Sequence, residues 1–205
     1  MGGRIMDDKM KKIAEIGEII VAKRGETVFQ IGQKIDSFFY IQKGIVKIAA
    51  DSSDGRTATV SLNEAGEFFG YLDYLKGQRE FTNYAVALSE CVLYSIPIDW
   101  IHNSLVRENF IFFSMVQQLD KAGQLKFVLS TMSVPERLRW LLIRMAKKTK
   151  GEVLLIETPL THEEMANYLG CSRQKVSLFL SKWKKDGALS YENGAIKILD
   201  EEKMI

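Results

Sequence analysis

The sequence predicts an α+β chain: an N-terminal antiparallel β-roll or jelly roll, a long central helix and a C-terminal winged helix-turn-helix. Three observations carry this. Between Ile19 and Ile96 short β-rich runs alternate with turns, and Gly32, Gly44, Gly55, Gly66 and Gly77 punctuate them at intervals of 12, 11, 11 and 11 residues. From Ile98 to Met132 the apolar spacing turns helical. Leu160 to Leu189, LTHEEMANYLGCSRQKVSLFLSKWKKDGAL, then reads as two helices joined by a tight turn. The expected boundaries are 1–97 for the roll, 98–133 for the central helix region and 134–205 for the C-terminal module.

The elements follow in chain order. Met10, Ile13 and Ile16 share one face of a short helix over 6–17. The runs IIVA, TVFQI, SFFYI, GIVKIAA, TATVSL, FTNYAVAL and CVLYSI supply the strands of the roll, Asp54-Gly55 marks a hairpin turn, and Pro97 closes the region. A first helical piece, 98–105, is amphipathic through Ile98, Ile101 and Leu105. A longer one, about 108–132, places Phe112, Met115, Leu119, Ala122, Lys126 and Leu129 at alternating three- and four-residue steps. That is coiled-coil spacing. Phe112, Met115, Leu119, Ala122 and Leu129 are therefore the expected contacts with a second copy of the chain.

Ser133-Val134-Pro135 is the expected hinge: serine caps a helix and proline suits its first turn. Leu138, Leu141, Leu142 and Met145 mark a helix over 135–148, Gly151 ends it, and VLLIET (153–158) reads as a strand. Thr161 and Glu164 form a capping box for the next helix, whose apolar stripe is Met165, Ala166 and Leu169. Gly170 supplies the left-handed residue that ends it. Ser172 caps a second helix with Val176, Phe179, Leu180 and Trp183 as its buried face, stopped by Asp186-Gly187. Ala188 to Leu199 is strand, turn, strand, with Asn193-Gly194 as a two-residue hairpin turn.

The chemistry lies on the second helix. From Cys171 to Lys185 there are five Lys or Arg and no Asp or Glu. Residues 1–133 hold 15 basic and 16 acidic side chains; residues 134–205 hold 13 and 10. The positive excess thus sits with the helix pair, where phosphate contacts with duplex DNA would need it. Arginine pairs bidentately with guanine and glutamine with adenine, and Arg173 and Gln174 stand in the first turn of the helix that would enter the major groove. Thr161, Ser172, Arg173, Gln174, Lys175, Ser177 and Lys182 are the expected DNA contacts.

Composition excludes several other classes. No apolar run reaches the eighteen or so residues of a membrane span. The N-terminal MGGRIMDDKMKK has no apolar core of a secretory signal. Cys91 and Cys171 alone make no disulfide framework and too few thiolates for an iron–sulfur cluster, so a reducing cytoplasm is expected. Cys91, in an apolar strand, reads as a buried structural thiol. Cys171 lies beside Arg173 at a helix N-terminus, which would lower its pKa. A cupin-like metalloenzyme needs histidines on barrel strands, and 19–96 contains none. Only His102 and His162 exist, so no metal, haem or other cofactor is expected.

In the order β-roll, long helix, proline hinge and winged helix-turn-helix, the chain resembles the CRP/FNR superfamily of bacterial transcription regulators over nearly its whole length. The resemblance rests on AKRGETVFQIGQKIDSFFYIQKGIVKI, GEFFGYLDYLKG, PERLRWLL and LTHEEMANYLGCSRQKVSLFLSKWKKDGAL. It implies a homodimer on a palindromic operator, regulation of transcription through RNA polymerase, and an effector domain in the roll. By the same resemblance Arg173 matches a base-reading arginine, Gln174 replaces a frequent Glu, Ser177 matches a serine of the FNR-like branch, and Leu178 stands where a second base-reading Arg is usual.

Gly66-Glu67-Phe68-Phe69-Gly70 keeps the frame of the family's nucleotide cassette. Tyr71, however, replaces its ribose-binding Glu, Phe81-Thr82 replaces its phosphate-binding Arg-Ser, and Ala122-Gly123 replaces hydroxyl side chains that hold the base. Cyclic AMP is therefore rejected as ligand. An effector site at Phe69, Gly70, Tyr71, Phe81, Thr82 and Ala122, beside Tyr74 and Tyr84, would take a small apolar or aromatic molecule, or none. The rival reading, a cyclic-nucleotide-type regulatory protein without DNA function, fits neither the lost cassette arginine nor the basic helix.

Overall fold

The computed structural model describes residues 11, 13–148, 154–157 and 160–204. They form two compact units that divide between Lys121 and Ala122. The first contains two four-stranded antiparallel sheets. One has the order β1 (Glu18–Ala22), β8 (Cys91–Pro97), β3 (Ser37–Lys43), β6 (Phe68–Phe69). The other runs β2 (Thr27–Phe29), β7 (Tyr84–Ala87), β4 (Ile45–Asp51), β5 (Thr57–Glu64). Their inner side chains make one core, including Phe29, Phe38, Phe39, Phe68, Phe69, Tyr71 and Phe81.

The seven expected strand runs all form strands. Thr57 pairs with Asp51 across the Asp54-Gly55 hairpin, which is closed by a five-residue loop. Two elements lack a period of their own. β6 is only two residues long and exists because Phe39 and Tyr40 pair with it. The single turn α1 (Leu72–Leu75) follows directly.

Gly44 shows how tightly the sheets close. Its φ is +100°, and a Cβ there would lie 2.5 Å from Cys91 Sγ and 2.6 Å from the Glu90 carbonyl. Cys91 is buried, and its thiol donates to the Ile45 carbonyl at 3.3 Å. It is the structural thiol that its apolar strand suggested.

A 3₁₀ segment, Ile98–His102, and a single helical turn, Ser104–Val106, stand where a helix over 98–105 was expected. A π-helical turn, Arg107–Ile111, then leads into α2 (Phe112–Thr131). The π turn lets two apolar sets face different ways: Phe110 and Ile111 enter the core while Phe112 and Phe113 stay exposed.

The second unit contains α3 (Val134–Met145), α4 (His162–Leu169), α5 (Arg173–Lys185) and a four-stranded antiparallel sheet. That sheet has the order β11 (Leu189–Glu192), β12 (Ala195–Ile198), β10 (Leu154–Ile156), β9 (Lys147–Lys148). The helix expected over 135–148 ends at Met145 because Lys147 and Lys148 pair with Leu155 and Leu154, a tertiary demand that outweighs lysine's helix preference. The strand expected over 153–158 is present as Leu154–Ile156; Val153, Thr158 and Gly151 lie outside the described residues. So do residues 6–10 and 12 of the helix expected over 6–17, of which residues 11 and 13–16 are helical. Asn193 and Gly194 take φ of 50° and 82°, joining Glu192 directly to Ala195 in the expected two-residue turn.

Gly44→Ala should cost about 2–4 kcal/mol, because it combines a left-handed residue with a backbone clash. Urea unfolding followed by circular dichroism measures the loss, and a substitution to Ala at Gly55, which has open space, should cost less.

Candidate nucleic-acid interface

The helix pair is assembled by local chemistry. The Thr161 amide donates to the Glu164 carboxylate at 2.6 Å, and the Glu164 amide donates back to Thr161 Oγ1 at 3.2 Å. This is the expected capping box. Gly170 takes φ 61°, ψ 43° at the C-cap of α4. The Lys175 amide donates to Ser172 Oγ at 3.4 Å, capping α5.

Val176, Leu180 and Trp183 are buried. Phe179, expected among them, is only half-buried; it leans on Trp183 with ring centroids 6.2 Å apart. The face turned away from this stripe carries Gln174, Lys175, Leu178, Lys182 and Lys185, all exposed, while Arg173, three residues before Val176, is exposed at the start of the helix. Of the expected DNA contacts, the structure thus leaves Gln174, Lys175 and Lys182 on one exposed face and Arg173 exposed at the helix start. Thr161 and Ser172 serve as caps at the helix starts, where free amides also favour a phosphate.

Ser177 is less available than its position suggested. Its Oγ lies 2.8 Å from His162 Nδ1 on the first turn of α4. This pair ties the supporting helix to the second turn of α5, and nothing local in the sequence announces it. Behind the interface, Lys184 Nζ sits 5.6 Å from the centre of the Tyr191 ring on β11, a cation–π contact that joins α5 to the hairpin. Cys171 departs from expectation: burial raises its thiol pKa, and the positive charges of Arg137 and Lys175 offset this only in part. The thiolate is disfavoured.

In the roll, the residues expected around an effector are packed against one another. Phe81 stacks on Phe29 with centroids 3.8 Å apart and an interplanar angle of 9°. Phe69 lies 5.2 Å from Phe39. Gly70 has φ +81°, and a Cβ there would meet the Phe39 and Phe29 rings at 3.1 and 3.3 Å. The Tyr71 hydroxyl donates to Ser114 Oγ at 3.0 Å; burial pushes its pKa up to about 12, against the lowering effect of the Ser114 bond.

Ser114 and Gln118, not singled out from the sequence, both donate to the Phe68 carbonyl, at 3.3 and 2.9 Å. Lys121 forms an ion pair with Glu67. Ala122, an expected effector contact, is exposed and belongs to the second unit. His102 Nε2 lies 2.9 Å from the Tyr74 hydroxyl.

Thr82 is also engaged. Its amide and its hydroxyl both donate to Asp73 Oδ2, at 2.8 and 2.9 Å, and Lys76 donates to Asp73 Oδ1 at 3.0 Å. The donors that a bound anion would need are thus occupied by a buried carboxylate of the chain itself. Burial alone would raise the Asp73 pKa, but the bonds from Thr82 and Lys76 outweigh it and hold it below the ordinary carboxyl value.

A family model described as "Cyclic nucleotide-binding domain" matches residues 19–107, and one described as "Crp-like helix-turn-helix domain" matches 136–205. A global nitrogen regulator of Synechococcus elongatus is 25% identical over 186 residues, covering 87% of this chain and 84% of that protein. A CRP-like cAMP-activated global transcriptional regulator of Mycobacterium tuberculosis is 27% identical over 189 residues, covering 88% and 84%. Among solved structures, a CRP/FNR-family transcriptional regulator of Thermus thermophilus aligns with a TM-score of 0.72 at 22% identity, covering 91% of this chain and 96% of that one.

The Asp73 carboxylate is charged more readily in the folded chain than in the unfolded one. Its contribution to stability is complete above the ordinary carboxyl pKa and lost as pH falls through the lowered folded value. Acidification from about pH 5 to about pH 3 should therefore steepen the loss of urea stability in the native protein relative to Asp73→Asn. At neutral pH, Asp73→Ala, which removes the bonds from Thr82 and Lys76 but leaves the exposed Thr82 donors to water, should cost about 1 kcal/mol.

Proposed function

The chain belongs to the CRP/FNR family of DNA-binding transcription regulators, and from that premise we propose that it acts as a homodimer on a palindromic operator, without cyclic AMP. The observation that carries this reading is the acid-free exposed face of α5, with Arg173 and Gln174 in its first turn. In this arrangement α5 enters the major groove, α4 braces it, and Lys175 and Lys182 hold phosphates. Thr161 and Ser172 present their helix N-termini to the backbone, and Ser177 approaches the bases with its hydroxyl oriented by His162.

The dimer is supported by what α2 leaves uncovered. Phe112 is 60% and Leu119 75% exposed, and Met115 and Val116 are exposed beside them. A soluble chain gains by burying such a row, and a second copy of the same helix offers a matching one. Ala122 and Leu129 continue the seam. Two recognition helices related by a two-fold axis then meet half-sites about 34 Å apart. According to where the operator lies, the dimer recruits or blocks RNA polymerase.

Cyclic AMP is not the ligand in this reading. Phe81, stacked on Phe29, offers no cation to a phosphate, and Asp73 both occupies the Thr82 donors and would repel an anion. An effector, if one acts, is small and apolar or aromatic, and enters by displacing part of the Phe29, Phe69, Phe81 stack.

Selection of the purified full chain against random duplexes at physiological salt, without added ligand, should enrich a palindrome. Arg173→Ala should weaken binding to that palindrome about ten- to a hundred-fold and relax one position per half-site. Leu119→Glu should yield a monomer by sedimentation and lose binding to the palindrome while keeping its circular dichroism spectrum. Cyclic AMP should change neither result. Absence of any enriched sequence would remove the reading.

A further inference from the structure

One side chain on the outer face of α5 does not suit its surroundings. Leu178 is 64% exposed, the only large apolar side chain on α5 turned fully to solvent. At about 100° per residue it lies on the side of the helix opposite Val176, Leu180 and Trp183. Gln174 stands one turn before it and Lys182 one turn after, with Lys175 and Lys185 on the same exposed face. A single exposed leucine is ordinary on a protein surface. This one occupies the middle of a cationic, hydrogen-bonding face, where Lys, Arg or Gln would be better solvated and would add to DNA affinity.

The major groove of duplex DNA is lined by hydrogen-bonding edges and offers one apolar group, the C5 methyl of thymine. Leucine facing guanine or cytosine would cover polar edge atoms without replacing their water, whereas facing thymine it removes two apolar surfaces from water. The spacing fits. The four residues from Gln174 to Leu178 advance about 6 Å along α5, and base pairs stack about every 3.4 Å, so Leu178 falls one or two pairs beyond the base met by Gln174. Resting on the DNA-binding reading above, we propose that Leu178 determines specificity by contacting a thymine methyl in each half-site, beside an adenine held by Gln174. The operator is then rich in A·T pairs where α5 crosses it, and no guanine is required at the Leu178 position.

Replacing thymine by deoxyuridine removes only the methyl and leaves every hydrogen-bonding edge, so it tests the contact directly. The operator is first obtained by the selection described above, and its thymines are then replaced one symmetric pair at a time. At one pair the native dimer should bind about three- to ten-fold more weakly. Leu178→Ala should show a similar loss on the thymine operator and no further loss on the deoxyuridine operator. Leu178→Arg, selected afresh, should exchange that thymine for guanine. If native protein and Leu178→Ala respond alike to every thymine replacement, or if Leu178→Ala binds the operator as tightly as the native chain, the contact does not exist although DNA binding stands. If the native chain selects no sequence at all, the DNA-binding reading falls with it.

Discussion

Helix ends leave carbonyls without partners, and in the second unit one guanidinium resolves three of them. Arg137, in the first turn of α3, donates to the Leu129 and Met132 carbonyls at 2.8 Å each and to the Leu169 carbonyl at 3.2 Å. The first two belong to the end of α2 and the last to the end of α4. A planar, permanently charged fork can serve all three at once, which a lysine could not. The Ser133 amide, meanwhile, donates to the Glu136 carboxylate at 2.6 Å and starts α3 at a defined residue. The turn at Gly170 therefore leaves a fixed α4, and α5 leaves that turn with its basic face in a set direction. The helix pair is thus braced by a side chain that lies outside it.

The first unit answers a different constraint. Its aromatic core is closed rather than open. Phe81 and Phe29 are stacked, Tyr71 is held by Ser114, and the Asp73 carboxylate fills the donors of Thr82. A fold that in its relatives' family model is described by cyclic nucleotide binding has here turned the corresponding residues inward, onto one another. Apolar stacking supplies cohesion, and the bonds from Thr82 and Lys76 offset the desolvation of the buried Asp73 carboxylate.

Much of the fold was legible because its signals are local. Capping boxes span three residues, and Thr161 with Glu164 formed as read. The Asn193-Gly194 pair and Gly170 specify positive φ wherever they stand, and strand runs between evenly spaced glycines became strands. The misses share a cause. β6 and β9 are two-residue strands created by partners elsewhere in the chain; the π turn at Arg107–Ile111 answers the packing of Phe110 and Ile111; and the pKa of Cys171 follows burial that a neighbouring Arg173 in sequence does not reveal.

The sequence by itself determined the order of elements, the helix-turn-helix with its hairpin, the acid-free face of α5 and the family. These follow from residue types at separations of two to four positions, where backbone geometry is the only intermediary. Only the tertiary structure decided which polar side chains, among them the expected site residues Tyr71 and Ser177, are already engaged. Tyr71 meets Ser114 across 43 residues, Gln118 meets Phe68 across 50, and Ser177 meets His162 across 15. No period or motif encodes such pairings, because they exist only once separate elements have packed and brought distant polar groups within hydrogen-bonding reach.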